Sequence, residues 1–393
     1  MSVLVTAGDS IKALVVTRSL GEKGVSVYTA EEYYPFLASF SKYSRESFKY
    51  PSPSKHPQLF VTWIIKTLTK YEDIETVIPT HSRDTYIISR YKETIEKQTT
   101  VPIPVPEYQT LKLVNDKGAL AKLAKKLHIP VPETYHIENL NQLKVLASDL
   151  QYPVVIKVRE SSSSVGVEYA FSREELIRKY TMLVKRFNLS SDRYPIIQEY
   201  IPGDGYGVSL LFNHGELRAK FTHKRIREYP ITGGPSTCRV SVRCPKMEKY
   251  AVKLLKRLKW NGVAMVEFKL DSRTKEPYLI EVNPRFWGSI HQAVASGVDF
   301  PYLLYRMAVD GDVKSVFDYD VGVITRNYFI DVVAIVNYIL KRKRNINVLK
   351  ELFKLYPDDI LKKEDVLPIL GFLYSSSRQI AMKKLRRTKR GSL

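Results

Sequence analysis

Apolar positions change their period along the chain, and the changes divide it. Val3–Thr6 reads as a buried strand, Ile11–Gly24 repeats its apolar residues at helical spacing until a glycine stops it, and Val25–Thr29 reads as a second strand. Further on, Thr76–Pro79 has the pattern of a strand and Ser82–Gln98 that of a helix with Ser82 at its N-cap. Strands alternating with helices predict a parallel α/β sheet. In VPIPVPEY, residues 101–108, prolines at alternate positions cannot propagate a helix, which puts a domain boundary near 106.

Beyond that boundary the pattern is α+β. Helices are predicted over Asn115–His128, Gln142–Leu150, Arg173–Phe187 and Lys246–Lys259, the third with Ser172 and Glu175 at capping-box spacing. Val154–Val158 is a strand. Residues 194–221 read as a strand, a Pro-Gly turn and two more strands joined at Asn213–Gly215. From about Lys314 the chain turns helical and increasingly basic, so the division is 1–106, 107–313 and 314–393.

Two short β-like runs, Val263–Leu270 and Tyr278–Val282, flank the loop DSRTKEP and read as a hairpin. If Leu270 pairs with Tyr278, Glu267 sits opposite Glu281. Alternation then puts Glu267 on one face with Val263 and Met265, and Glu281 with Leu279 and Asn283. Like charges directly opposite destabilise a sheet, so a cation is expected between them. Mg²⁺, with Mn²⁺ as the alternative, takes one or two carboxylates plus substrate phosphates, and Asn283 adds a carbonyl oxygen. The competing reading is a solvated hairpin whose acids pair with Lys269, Arg273 or Lys275.

Composition narrows the field. A hydrophobic fraction of 44% over 393 residues is that of a globular chain with room for two or three domains. Asp9 and Lys12 interrupt the N-terminal apolar stretch, so no signal peptide is expected, and no uncharged run approaches the ~18 residues of a membrane span. A cytoplasmic protein with free thiols at Cys238 and Cys244 is expected. The net charge of +21 comes without a nucleic-acid reading motif and is clustered only at the C-terminus, where the tail from Arg378 has seven basic residues and no acids. No specific nucleic-acid partner is expected. The tail is left open between disorder and contact with anionic lipid or RNA, so peripheral membrane contact is retained as a partner. The rest of the charge suits an anionic ligand such as a nucleotide phosphate.

Other residues stand where a nucleotide could use them, each with a plainer reading beside it. The first turn, TAGDS, is not GxGxxG, and Gly8, Asp9 and Ser10 read either as a ligand turn or as an ordinary capped one. Lys117 opens a Lys-rich helix and could equally be a surface lysine. Lys157 ends a strand apolar enough to be buried, and a buried lysine needs a partner. Ser161–Ser164, including Ser162 and Ser163, then Gly166, form a small-residue loop that can close over phosphates or lie on the surface. Glu199, Tyr200, Ile201 and Asp204 sit where a strand passes into a turn, an edge that can face a purine. Arg225, Arg227 and Arg239 surround a GGPST turn and suit an anionic substrate or a solvated face. Arg285 follows the presumed metal ligand Asn283 by two residues.

In this order NDKGALAKLAKKLHIPVPET, YPVVIKV, IIQEYIPGDGYGVS, GVAMVEFKLD and LIEVNPRFWGS resemble the ATP-grasp superfamily of carboxylate–amine and thiol ligases, in its carbamoyl-phosphate-synthase-like branch. The resemblance covers roughly residues 1–313. It implies a Rossmann-like pre-ATP-grasp domain, two α+β subdomains holding ATP between them, and a helical C-terminal extension outside the motifs. It implies that Lys117 and Lys157 contact ATP phosphates, that Glu199, Tyr200 and Ile201 form the adenine hinge, and that Asp204 approaches the ribose. Glu267, Glu281 and Asn283 would bind Mg²⁺, with Arg285 near the transferred phosphoryl group and, with Lys157, catalytic. SSSSVG replaces the glycine-rich loop common in the family.

The activity so implied is ADP-forming ligation. A small-molecule carboxylate is activated as an acylphosphate and attacked by an amine or similar nucleophile. The alternative is a catalytically silent ATP-binding regulatory or scaffold protein whose basic tail binds nucleic acid or membrane.

Overall fold

The structure, a computed structural model, describes residues 1–161, 165–231, 233–342 and 346–391. The first unit runs β1 (Ser2–Thr6), α1 (Ile11–Gly21), β2 (Ser26–Glu31), β3 (Ser44–Lys49), α2 (Pro57–Lys70), β4 (Ile74–Pro79), α3 (Ser82–Arg90) and α4 (Lys92–Thr99). Its sheet is parallel, in the order β3-β2-β1-β4. Every residue of β1 is buried, as its apolar run requires. The helix expected over 82–98 breaks at Tyr91 into α3 and α4. Its cap is His81, whose Nδ1 accepts from the Arg83 amide at 3.3 Å, while the Ser82 hydroxyl accepts from Arg285 instead.

The second unit opens with α5 (Tyr108–Asn115), α6 (Lys117–Lys126), β5 (Thr134–Tyr135), α7 (Leu140–Asp149), β6 (Val154–Lys157), β7 (Val167–Ala170), α8 (Arg173–Phe187) and β8 (Ile196–Glu199). The four strands form a small antiparallel sheet, β5-β8-β6-β7, covered by α7 and α8. Then come β9 (Gly203–Asn213), β10 (Glu216–Glu228), β11 (Ser236–Ser241), α9 (Pro245–Arg257), β12 (Gly262–Asp271), β13 (Pro277–Asn283), α10 (Ile290–Ala295) and α11 (Phe300–Asp310). These strands make a larger antiparallel sheet, β13-β12-β9-β10-β11, extended by one further strand. One face packs on α9 through Val208, Leu254, Trp260 and Val266. The other shares a core with the first unit, in which Val5, Val16, Phe221, Met265 and Trp287 belong to one cluster.

The hairpin register differs from the simple one. Glu267 does oppose Glu281, but Phe268 pairs with Leu279 and Leu270 with Pro277, so Ile280 is the extra residue of a bulge. The consequence is a correction at Leu279. It lies on the opposite face from Glu281, in the core with Phe268 and Val282, while its amide donates to Pro130 O at 2.8 Å.

The C-terminal extension is mostly helical, as expected, but it is woven into the rest of the molecule. β14 (Ile324–Arg326) completes the large sheet beside β11, followed by α12 (Tyr328–Arg342) and α13 (Pro368–Gly391), the latter carrying the basic tail. Three of its acids reach buried arginines elsewhere: Asp365 meets Arg18 at 2.8 Å, Asp331 meets Arg227 at 2.7 Å, and Asp359 meets Arg239. α13 also packs on the first unit, where Ser375 donates to Asp9, the carboxylate of the first βα turn. Asp9 accepts from Tyr33 and the Leu37 amide as well, so that turn is filled from within the protein. No helix among the described residues is long and apolar enough to cross a membrane.

Candidate active site

A cavity of about 440 Å³ opens where the small sheet, the large sheet and the first unit meet. Lys157 is the last residue of β6, so the strand's apolar run carries it into the interior. Burial, reinforced by Lys117 and opposed by Glu281, pulls its ammonium down to about 8. Lys117 is placed by its cap: Asp116 Oδ1 accepts from the Gly118 and Ala119 amides at 2.9 and 3.1 Å, starting α6 so that its first residue faces the cavity. The Lys117 ammonium donates to Ser161 O at 2.8 Å and lies 4.0 Å from Glu281 Oε2. Burial lowers it too, against the pull of Glu281.

The opposed acids hold the other wall. Asn283 Nδ2 donates to Glu267 Oε1 at 2.8 Å and to Glu281 Oε1 at 3.3 Å, and Arg225 pairs with the remaining oxygen of Glu267. Burial first, then the neighbouring Glu281, raises the Glu267 carboxyl to about 7 against the lowering effect of Arg225. For Arg225 itself, burial works against the charge, but Glu267 and Glu228 outweigh it and raise the guanidinium above its ordinary value. An amide donor shared between two carboxylates marks where a cation fits, and turning the Asn283 amide would offer its oxygen instead. Among the described residues no group of three or more His, Cys, Asp or Glu gathers around a metal position. Two carboxylates and one carbonyl are nonetheless the hard-oxygen set that magnesium takes when substrate phosphates complete its shell. The residues present fit that ion.

Arg285 lies between these acids and the first unit. Its Nε donates to Ser82 Oγ at 2.7 Å and its Nη1 to Phe286 O at 2.8 Å. Burial lowers its guanidinium, opposed by Glu281 and Glu267. Glu199, Tyr200 and Ile201 also line the cavity. Lys269, which the sequence offered as a partner for the hairpin acids, instead donates to Ile201 O at 3.4 Å and lies 5.4 Å from the Tyr200 ring centroid.

Not every candidate comes to the cleft. Asp204 pairs with Lys224 at 2.6 Å and is 59% exposed. Arg227 and Arg239 are occupied by Asp331 and Asp359, so of the three candidate arginines only Arg225 faces the cavity. Gly166 has φ +73°, and its carbonyl accepts from the Val158 amide at 2.9 Å. Ser162 and Ser163 lie outside the described residues. Conversely, Lys12, His81, Asn327 and Asp359 line the cavity without having been singled out. Lys12 carried a signal, a lysine in the first turn of an otherwise apolar helix; Asn327 and Asp359 carried none.

A parallel α/β unit followed by two α+β lobes that clasp a cleft between their sheets is the ATP-grasp fold. Residues 192–327 match the family described as ATP-grasp in the biosynthetic pathway with Ter operon. The carbamoyl phosphate synthase large chain of Pyrococcus furiosus is 26% identical over 206 residues, which cover 51% of this chain and 19% of that one. The D-alanine–D-alanine ligase of Carboxydothermus hydrogenoformans is 29% identical over 188 residues, covering 44% and 59%. The chain thus spans less than two thirds of the length of these curated relatives. Among solved structures, the biotin carboxylase domain of Hydrogenobacter thermophilus 2-oxoglutarate carboxylase, in complex with MgADP and bicarbonate, superposes with a TM-score of 0.66 at 17% identity, over 82% of this chain and 73% of that one. For the L-amino acid ligase of Bacillus licheniformis the TM-score is 0.60 at 14% identity, over 78% and 74%.

Proposed function

We propose that the protein is an ATP-dependent, ADP-forming ligase that activates a small-molecule carboxylate as an acylphosphate and passes the acyl group to an amine or similar nucleophile. The observation that carries this reading is the meeting, in one cavity, of two buried lysines, an opposed pair of acids with Asn283, and Arg285. Lys117 and Lys157 hold the nucleotide's phosphates, while Glu199, Tyr200 and Ile201 take its base. Glu267, Glu281 and Asn283 would hold Mg²⁺, which when bound neutralises charge on the transferring phosphoryl group.

Arg285 draws in the reacting carboxylate beside the γ-phosphate, offsetting the repulsion between two anions. A carboxylate oxygen attacks phosphorus, the bond to ADP breaks, and an acylphosphate forms. The nucleophile then attacks the acyl carbon and phosphate leaves with that oxygen. Walls such as Met265 and Trp287 keep water from the intermediate.

The test is ADP release from purified protein that depends on both an added carboxylate and an added amine. Glu281→Gln should reduce Mg²⁺-dependent turnover by roughly 10²–10³-fold, the range for losing one charge-stabilising group in a water-poor site, with an unchanged melting profile. Wild-type turnover in Glu281→Gln would remove Glu281 from the mechanism. ATP binding with no ADP release across a broad substrate panel would favour a silent nucleotide-binding protein.

A further inference from the structure

One lysine in the cleft has no duty in the reaction so far described. Lys12 lies in the first turn of α1, at the carboxyl edge of the parallel sheet, where the helix N-terminus favours an anion. It is 9% exposed and lines the cavity, yet among the described residues it makes no ion pair or hydrogen bond. The acid nearest to it in effect, Asp84, is taken: it accepts from Arg83 Nε at 2.8 Å and from Tyr50 Oη at 2.7 Å. The other charges it feels are cations, Arg285 and Arg83. His81, next on the same wall, accepts at Nδ1 from the Arg83 amide, which leaves Nε2 to carry the ring proton as a further donor.

Arg285 feels both Glu267 and Glu281 on one side and is bonded to Ser82, beside His81, on the other. Lys12 lines the same cavity and feels the charge of Arg285. Nucleotide phosphates belong with Lys117 and Lys157, and a reacting carboxylate belongs between the acids and Arg285. Lys12 is left without either, and an unpaired buried ammonium is costly unless an anion meets it.

We infer that the substrate carries a second anionic group, a carboxylate or phosphate ester distinct from the reacting carboxylate, and that Lys12, with His81 beside it, receives that group. The inference rests on the ligase reading for its assignment of the other groups. It narrows the substrate to a dianionic acid.

The probes are succinate and glutarate against their mono-amides, succinamate and glutaramate, which keep the shape and lose the second charge. Binding to the full chain with ATP and Mg²⁺ is measured by calorimetry for wild type, Lys12→Met and Lys12→Arg, with melting curves to establish folding. The expected result is a preference for a dianion of about tenfold or more in wild type, as one charge-assisted hydrogen bond gives, falling to about one in Lys12→Met and retained in part by Lys12→Arg. No preference in wild type, or an undiminished one in Lys12→Met, overturns the inference. So does Lys12-dependent binding of inorganic phosphate without a dianion preference, which would assign the lysine to a free anion. ADP release is scored separately: a Lys12-dependent dianion preference with no turnover on any carboxylate would contradict the ligase reading and leave the Lys12 site standing.

Discussion

Lys157 owes its character to a strand too apolar to end in water. With its ammonium brought down to about 8 by burial, the free protein loses that charge above pH 8, whereas bound phosphates would hold it on. Binding then takes up a proton at high pH. The apparent Kd for ATP should be flat below about pH 8 and rise by about tenfold per pH unit above it. Lys157→Arg, which keeps its charge, should lose the inflection; a wild-type Kd that stays flat to pH 10 would contradict the assignment. The residue was legible because VVIK reads as a buried strand closed by a cation. Arg227 and Arg239 misled for the opposite reason. A guanidinium in a basic stretch looks available until the carboxylate that occupies it is known, and here the partners lie 104 and 120 residues away.

Among the elements, α6 shows how a cap becomes part of a site. Asp116 accepts from two amides of its first turn and from Arg159 Nε at 3.0 Å, and the amide of Lys117 donates to Arg159 O at 3.1 Å. Asp116→Ala should therefore lower stability by about 1–2 kcal/mol in urea unfolding and also weaken ATP binding, because the lysine it positions is released. Weaker stability with unchanged ATP affinity would separate the cap from the site. The hairpin of β12 and β13 was legible in its two strands and its facing acids. The bulge at Ile280 was not, since nothing in YLIEV distinguishes a regular ladder from one interrupted beyond the acid pair. The polar edge strand β3, SRESFK, was missed because its alternation is mostly hydrophilic, with its outer positions exposed.

Across the whole molecule, the last eighty residues are tied to the rest by contacts that no local pattern announces. Arg18 and Asp365 are 347 residues apart in the chain, and β14 is a three-residue strand that means nothing without β11 beside it. Removing one partner of a buried ion pair leaves the other charge uncompensated, so Asp331→Ala should cost about 3–5 kcal/mol in urea unfolding. A chain ended at residue 313 should fail to fold, because it strips β14 from the sheet and Asn327 and Asp359 from the cleft wall. A cooperative, ATP-binding truncation would show that the segment is dispensable. The claim on which the rest depends is that a carboxylate oxygen attacks the γ-phosphorus in this cleft. It is tested most directly by supplying a carboxylate labelled with ¹⁸O on both oxygens, together with ATP, Mg²⁺ and an amine, and weighing the phosphate released. The phosphate should carry one ¹⁸O; unlabelled phosphate, whose fourth oxygen then came from water, would contradict the attack.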